Sequence, residues 1–124
     1  MKTNSLNFGL LLFRVGISAA MLTHGYGKFM KVLAGDFSFA DPIGIGPTAS
    51  LILCAIAEFI APLILIVGWK TRLFAIISVI NMLVAFIISH DGDPFAKKEK
   101  AFIYLIAFVF ICFSGAGKYS VDKH

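Results

Sequence analysis

Apolar residues fall along this chain in four long runs, over residues 6–23, 48–68, 73–89 and 101–117, with interruptions of unequal length between them. None of the runs shows the period-2 alternation of a barrel strand. The first three have lengths near the ~20 residues that cross a ~30 Å hydrocarbon core. The fourth fades at Ser114 unless Gly115, Ala116 and Gly117 extend it. Backbone amides in lipid must bond within their own segment, so the pattern predicts helices. The expected fold class is all-α: a single domain over residues 1–124, built as a transmembrane four-helix bundle.

The interruptions predict the connectivity. Trp69-Lys70-Thr71-Arg72 joins the second and third runs so tightly that they must form an antiparallel hairpin, with Trp69 placed for the membrane interface. The connection over 24–47 is long and carries Phe29, Met30, Val32, Leu33, Phe37 and Phe39 between charged residues. That composition predicts an interfacial loop between helices 1 and 2, with a short helix after Gly27 and a restart at Gly44, Gly46 and Pro47. Internal repeats and low-complexity tracts are absent.

Composition points the same way. With 59% hydrophobic and 15% charged residues in 124, and a mean hydropathy of +0.90, a soluble domain would have too little polar surface to cover its core. The lipid bilayer is the expected partner. The net charge of +4 does not imply a nucleic-acid partner, because the lysines are dispersed and no basic stripe with interleaved aromatics occurs. They read as headgroup contacts and topology signals. Lys2, Lys70, Arg72, Lys118 and Lys123 fall on one side, against Lys28, Lys31, Lys97, Lys98 and Lys100 on the other. The count is balanced, and the tight Lys/Arg turn favours both termini being cytoplasmic. Lys2, the apolar run and Ser18-Ala19-Ala20 also allow a signal-peptide reading, which Arg14 and the length of the run oppose.

Arg14 and Glu58 are the candidate centre. A charge at the middle of a membrane helix costs roughly 2.5–3.5 kcal/mol on insertion scales, so both need partners. Arg14, Glu58 and Asn81 each lie near the middle of their runs, and are expected to meet at one level. Ala55, Glu58 and Ala61 share one stripe, Ser78, Asn81 and Ala85 another, and Gly16 with Ala20 makes a small face beside Arg14. Two readings stay open. The trio is either a buried ion pair with an amide companion that holds the helices in register, or a midplane site that binds or protonates something polar. Pro62 removes the amide that would bond the Glu58 carbonyl, which favours a site.

A second polar group gathers where the two longer loops meet: His24, Tyr26 and Lys28 after the first run, His90 and Asp91 after the third, then Asp93 and Glu99. Imidazoles beside carboxylates suit a quinone head group arriving from the bilayer; the plain alternative is a wet helix end. No HxxxH or Cys/His spacing supports a metal, and a haem between His24 and His90 has less support still. Cys54 and Cys112 lie at different depths, which disfavours a disulfide, and no CxxC is present. Without a Walker loop, a GxGxxG or a nucleophile elbow, any hard chemistry must come from a cofactor or partner.

These residues also carry a resemblance. Leu11-Leu12-Phe13-Arg14-Val15-Gly16 followed by Thr23-His24-Gly25-Tyr26-Gly27-Lys28-Phe29 resembles the first-helix signature of the DoxX family. Glu58, Gly68-Trp69-Lys70-Thr71-Arg72, Met82, Ala85, Glu99, Tyr104 and Gly115-Ala116-Gly117-Lys118-Tyr119-Ser120-Val121-Asp122 continue it in order. The resemblance implies a small four-helix bacterial membrane protein, in a family named for a subunit of a thiosulfate- or quinol-linked terminal oxidase system, with relatives in membrane redox complexes and oxidative-stress defence. By matched position it implies Arg14, His24, Lys28, Glu58 and Glu99 as the functional polar set.

The expectation is a quinone-associated redox subunit or accessory in the bacterial cytoplasmic membrane, with a non-covalently held quinone and a redox partner protein. Glu58 relays a proton, Arg14 orients it, His24 and Tyr26 contact the head group, and Lys28, Asn81, His90 and Glu99 complete the binding set. Whether the chain is itself an enzyme stays open. The alternatives are a non-catalytic scaffold or assembly factor, and a small proton-coupled transporter that would have to form a homo-oligomer.

Overall fold

A computed structural model describes residues 2–39, 41, 43–89 and 92–123. Among these residues the chain forms four helices and no strand: α1 (Lys2–Leu33), α2 (Pro47–Val67), α3 (Thr71–Ser89) and α4 (Phe95–Ser114). Consecutive helices pack side by side, and α1 against α2 is the most extensive pairing. Met21, Leu65, Ala75, Met82, Phe108 and Ile111 form the buried core. Large apolar side chains such as Leu12, Ile80 and Phe113 face outward, as lipid as solvent requires. α1, α2 and α3 are long and apolar enough to cross a membrane. The expected all-α transmembrane bundle is the observed fold.

α1 departs from its expected bounds. It does not stop at residue 23 but continues to Leu33, a length of about 48 Å at 1.5 Å per residue. Gly25 and Gly27 do not break it. A Cβ on Gly25 would lie 2.0 Å from the Glu58 carbonyl oxygen, so α1 comes this close to α2 only because a glycine stands here. Phe29 stacks on Phe59 at 4.4 Å and seats the added turns. The loop shrinks to residues 34–46, and the short helix expected after Gly27 is the end of α1.

In that loop Asp41 accepts hydrogen bonds from the amides of Ile45 (3.0 Å) and Gly46 (2.9 Å) and from the Ser50 hydroxyl (2.9 Å). It organises the entry to α2, where Pro47 stands in the first turn. Inside α2 the backbone widens to a π turn over Ile56–Ile60, which ends two residues before Pro62. Proline removes one ladder donor, and the local widening accommodates the loss. α3 ends in a similar turn over Ala85–Ser89.

The fourth helix starts earlier and ends earlier than residues 101–117. Pro94, in extended backbone, precedes it. Its first two turns carry Lys97, Lys98, Glu99 and Lys100, leaving an apolar length over 101–114 of roughly 20 Å. Gly115 (φ 72) and Gly117 (φ 88) do not extend the span. They turn the chain back under the bundle, where Val121 N donates to Val67 O (3.1 Å) and Asp122 N to Gly68 O (2.9 Å).

Candidate functional site

Arg14 and Glu58 do not meet. α1 extends well beyond Arg14, and its register against α2 is set by Gly25 opposite Glu58. Arg14 therefore lies about 21 Å along α1 from Lys28, the residue that does reach the carboxylate. The small face expected beside Arg14 also points elsewhere, since Gly16 and Ala20 are exposed. The buried stripe of α1 is Arg14, Ser18, Met21 and Gly25, continuing to half-buried Lys28.

Arg14 is 2% exposed and clamps the end of the bundle that holds the α2–α3 turn. Its guanidinium donates to the carbonyls of Ala116, Tyr119 (2.8 Å) and Ile66 (3.4 Å). The Ile66 carbonyl belongs to the last turn of α2, the negative end of a helix dipole, where a cation is favoured. Asp122 completes this end by accepting the Lys70 amide (2.9 Å) and the Thr71 amide (2.8 Å), which caps α3 from the far side of the sequence. Gly68 (φ 77) is needed twice over: it takes the left-handed turn after α2, and a Cβ there would lie 2.4 Å from that of Ser120. Arg14 Nε and the Ser18 hydroxyl one turn on are buried without a hydrogen-bond partner, so hydrogen-bonding capacity is left over here.

Glu58 lies in the π turn of α2 and is 7% exposed. Lys28 Nζ donates to Glu58 Oε1 at 2.6 Å, and Asn81 Nδ2 donates to Oε2 at 2.9 Å. One carboxylate thus joins α1, α2 and α3, with each oxygen occupied. Asn81 in turn accepts from the Cys54 thiol at 3.5 Å. Both cysteines are free.

A hollow of about 230 Å³ opens at this carboxylate, lined by His24, Lys28, Glu58, Lys97, Lys100 and Tyr104. Met21, Met82, Ala85 and Ala101 form its apolar wall. His24 meets Tyr104 edge-to-face, with ring centroids 5.7 Å apart. The result is a polar chamber with a held carboxylate at one side and imidazole, phenol and ammonium groups around it. Such a set can donate hydrogen bonds to carbonyl oxygens and exchange protons with a bound polar group.

Of the residues singled out in the sequence, the structure brings Glu58, Lys28, Asn81 and His24 together. Tyr26 is 58% exposed and tilts against Phe59, away from the chamber. Glu99 lines a neighbouring hollow with Ile17, Lys100 and Tyr104. Arg14 is at the opposite end, and His90 and Asp91 lie outside the described residues. Lys97, Lys100 and Tyr104 line the chamber without having been singled out in the second polar group; their three- and four-residue spacing on α4 is the signal that marks one helix face. Among the described residues, no three His, Cys, Asp or Glu side chains gather as a metal site.

The DoxX family model matches residues 9–91, a span that includes Arg14, His24, Lys28, Glu58 and Asn81. The chain is also similar to a Haemophilus influenzae protein described as an uncharacterized protein, at 27% identity over 125 residues, covering 92% of this chain and 88% of that one. No solved structure matches it.

Proposed function

Because the chain belongs to the DoxX family of membrane proteins, we propose that it is a quinone-associated subunit or accessory of a membrane oxidoreductase system, with the quinone head group held at Glu58. The observation that carries this reading is a single buried carboxylate, bonded by Lys28 and Asn81, that faces a chamber shared with His24 and Tyr104. The residues suit such a head group. The Tyr104 hydroxyl, the His24 ring and the lysine ammoniums are donors for its two oxygens, and the methionine wall receives its ring face.

A quinone held there would supply two-electron chemistry, taking two electrons from a partner oxidoreductase and two protons to become the quinol. This chain's part is to bind, orient and move protons. Lys28 and Asn81 fix the carboxylate of Glu58 so that it points at one place, and Glu58 hands protons between the chamber and the headgroup region. Lys97 and Lys100, which line the chamber, tie it to the lipid surface. The site belongs in a bacterial cytoplasmic membrane with both termini on the cytoplasmic face, a placement supported by the Lys70 and Arg72 turn at the same end as segment 115–122.

The test is quinone titration of the purified protein in lipid nanodiscs, with Glu58→Gln alongside. Saturable binding that weakens in the variant, together with loss of quinone-dependent activity in the intact complex, is the expected result. Absence of bound quinone with activity of the complex unchanged in the variant overturns the assignment.

A second reading, a scaffold for partner membrane subunits or further copies of this chain, draws on the outer face of α1. Gly16 has open space beyond it, which suits close approach of another helix. Cross-linking in intact membranes separates the two: a scaffold keeps its partners in Glu58→Gln and loses them in Gly16→Leu.

A further inference from the structure

α1 and α4 leave a slot between them. They touch through Phe13 and Phe110, with ring centroids at 5.2 Å, and through His24 and Tyr104 at 5.7 Å. Alongside the first pair lies a cleft of about 600 Å³, walled by Gly9, Leu10 and Ile17 from α1 and by Phe102, Ile103 and Ile106 from α4. Ile17 and Ile103 also line a second hollow of about 420 Å³ that reaches Lys100 and Tyr104. Those two residues in turn line the polar chamber at Glu58. The three spaces therefore follow one another along the α1–α4 seam, apolar at one end and polar at the other. From Leu6 to Lys28 this is about 33 Å along α1, comparable to the hydrocarbon thickness of a bilayer.

We propose that this seam is the seat of an isoprenoid quinone's tail, entered sideways from the lipid, with the head group delivered to Glu58. The inference rests on the reading given under Proposed function and adds the route and the tail site. A neutral head with two oxygen acceptors meets donors there on His24, Lys97, Lys100 and Tyr104. A second apolar groove of about 300 Å³, between α2 and α3, shares no lining residue with the chamber. Asn81 stands on its wall and separates it from Glu58.

The experiment uses the full chain in nanodiscs and a benzoquinone whose isoprenoid tail ends in a photoreactive group, with a tail-less benzoquinone as competitor. The expected adducts fall on peptides covering residues 6–17 and 102–110. A Cβ added at Gly9 meets no atom within 4 Å, and the ring of Gly9→Phe is placed to occupy the slot that Gly9 lines. It is expected to weaken the long-tailed quinone about tenfold, to leave the tail-less one within about twofold, and to keep the thermal midpoint of the wild type. Glu58→Gln weakens both quinones alike. Adducts on the α2–α3 groove, or equal affinity of Gly9→Phe for the long-tailed quinone, overturn the tail site while the head-group reading stands. Displacement of the long-tailed quinone by added phospholipid, or a disulfide cross-link between copies through cysteines placed in the cleft, also overturns it. Failure of both quinones to bind overturns the head-group reading, and the tail site falls with it.

Discussion

Lys28 and Glu58 face each other at 2.6 Å across the α1–α2 interface, and this pair, not Arg14 with Glu58, is the ionic contact of the polar chamber. Asn81 holds the second carboxylate oxygen, so the anion is fixed from two helices at once. Arg14 works with backbone carbonyls at the other end. The two intramembrane charges thus have separate tasks, one at the chamber and one in closing the bundle.

Glu58→Gln is expected to lower stability by about 1–2 kcal/mol, since it leaves a partly buried ammonium without its anion. Lys28→Met combined with Glu58→Gln should lose less than the sum of the two single changes, because neither charge is then left alone. Unfolding in mixed micelles of increasing SDS fraction reads both values. Strict additivity would show that the pair is not coupled.

Arg14→Gln strips donors from three carbonyls at the base of the bundle, with an expected loss of about 1–3 kcal/mol. Arg14→Lys keeps the charge but not the planar fork, and should fall between the two. Asp122→Asn weakens the cap on α3 by about 1 kcal/mol. In each variant trypsin should cut faster after Lys118, in proportion to the stability lost. Cutting at the wild-type rate in Arg14→Gln would show that segment 115–122 is held by other means.

Gly25→Ala places a methyl group where the Glu58 carbonyl stands, and α1 must move away from α2. The expected cost is about 1–3 kcal/mol of overpacking, with loss of the Lys28–Glu58 contact. Gly16→Ala, open to its surroundings, is the control and should leave stability within about 0.5 kcal/mol. A well-folded Gly25→Ala with an intact pair would contradict the close approach.

Asp41 sets a pH limit on the loop. Desolvation pushes its carboxyl up, but the amides of Gly46, Ile45 and Gly44 and the Ser50 hydroxyl outweigh that and hold it below the usual carboxylate range. The folded value is the depressed one, so the stabilisation is full above the unfolded value of about 3.9 and is lost as pH falls through the folded value. Amide exchange at Ile45 and Gly46, corrected for intrinsic rates, should show steady protection above that range and a drop below it. Asp41→Asn should weaken the protection at neutral pH and flatten the dependence.

Much of the fold was legible because lipid imposes a simple rule: four apolar runs became four helices, and the tight Trp69–Lys70 turn became a hairpin. What misled was register. Taking α1 to end at residue 23 put Arg14 at mid-span, opposite Glu58, whereas the added turns move the contact point to Gly25 and Lys28. The spacing of Arg14, Ser18, Met21, Gly25 and Lys28 alternates fours and threes, and this stripe was available in the sequence. It was hidden by ending the first run at residue 23 and starting a separate short helix after Gly27, when Gly25 lies inside α1 and serves helix proximity. The reading of Gly115 and Gly117 as a helix extension failed for the opposite reason, since both take positive φ. Asn81 beside Glu58 followed directly from depth and face. Tyr104 and Lys100 did not, because α4 begins two turns earlier than its apolar run.

The Arg14 clamp also constrains the order of biogenesis. The Ala116 carbonyl that receives the guanidinium is synthesised 102 residues after the arginine itself. While the ribosome is still making α2 and α3, the first hairpin must therefore sit in the translocon or bilayer with its arginine drawn toward water or headgroups. The native arrangement closes only when segment 115–122 arrives, so nascent chains stalled before that point are the natural substrates of membrane quality control.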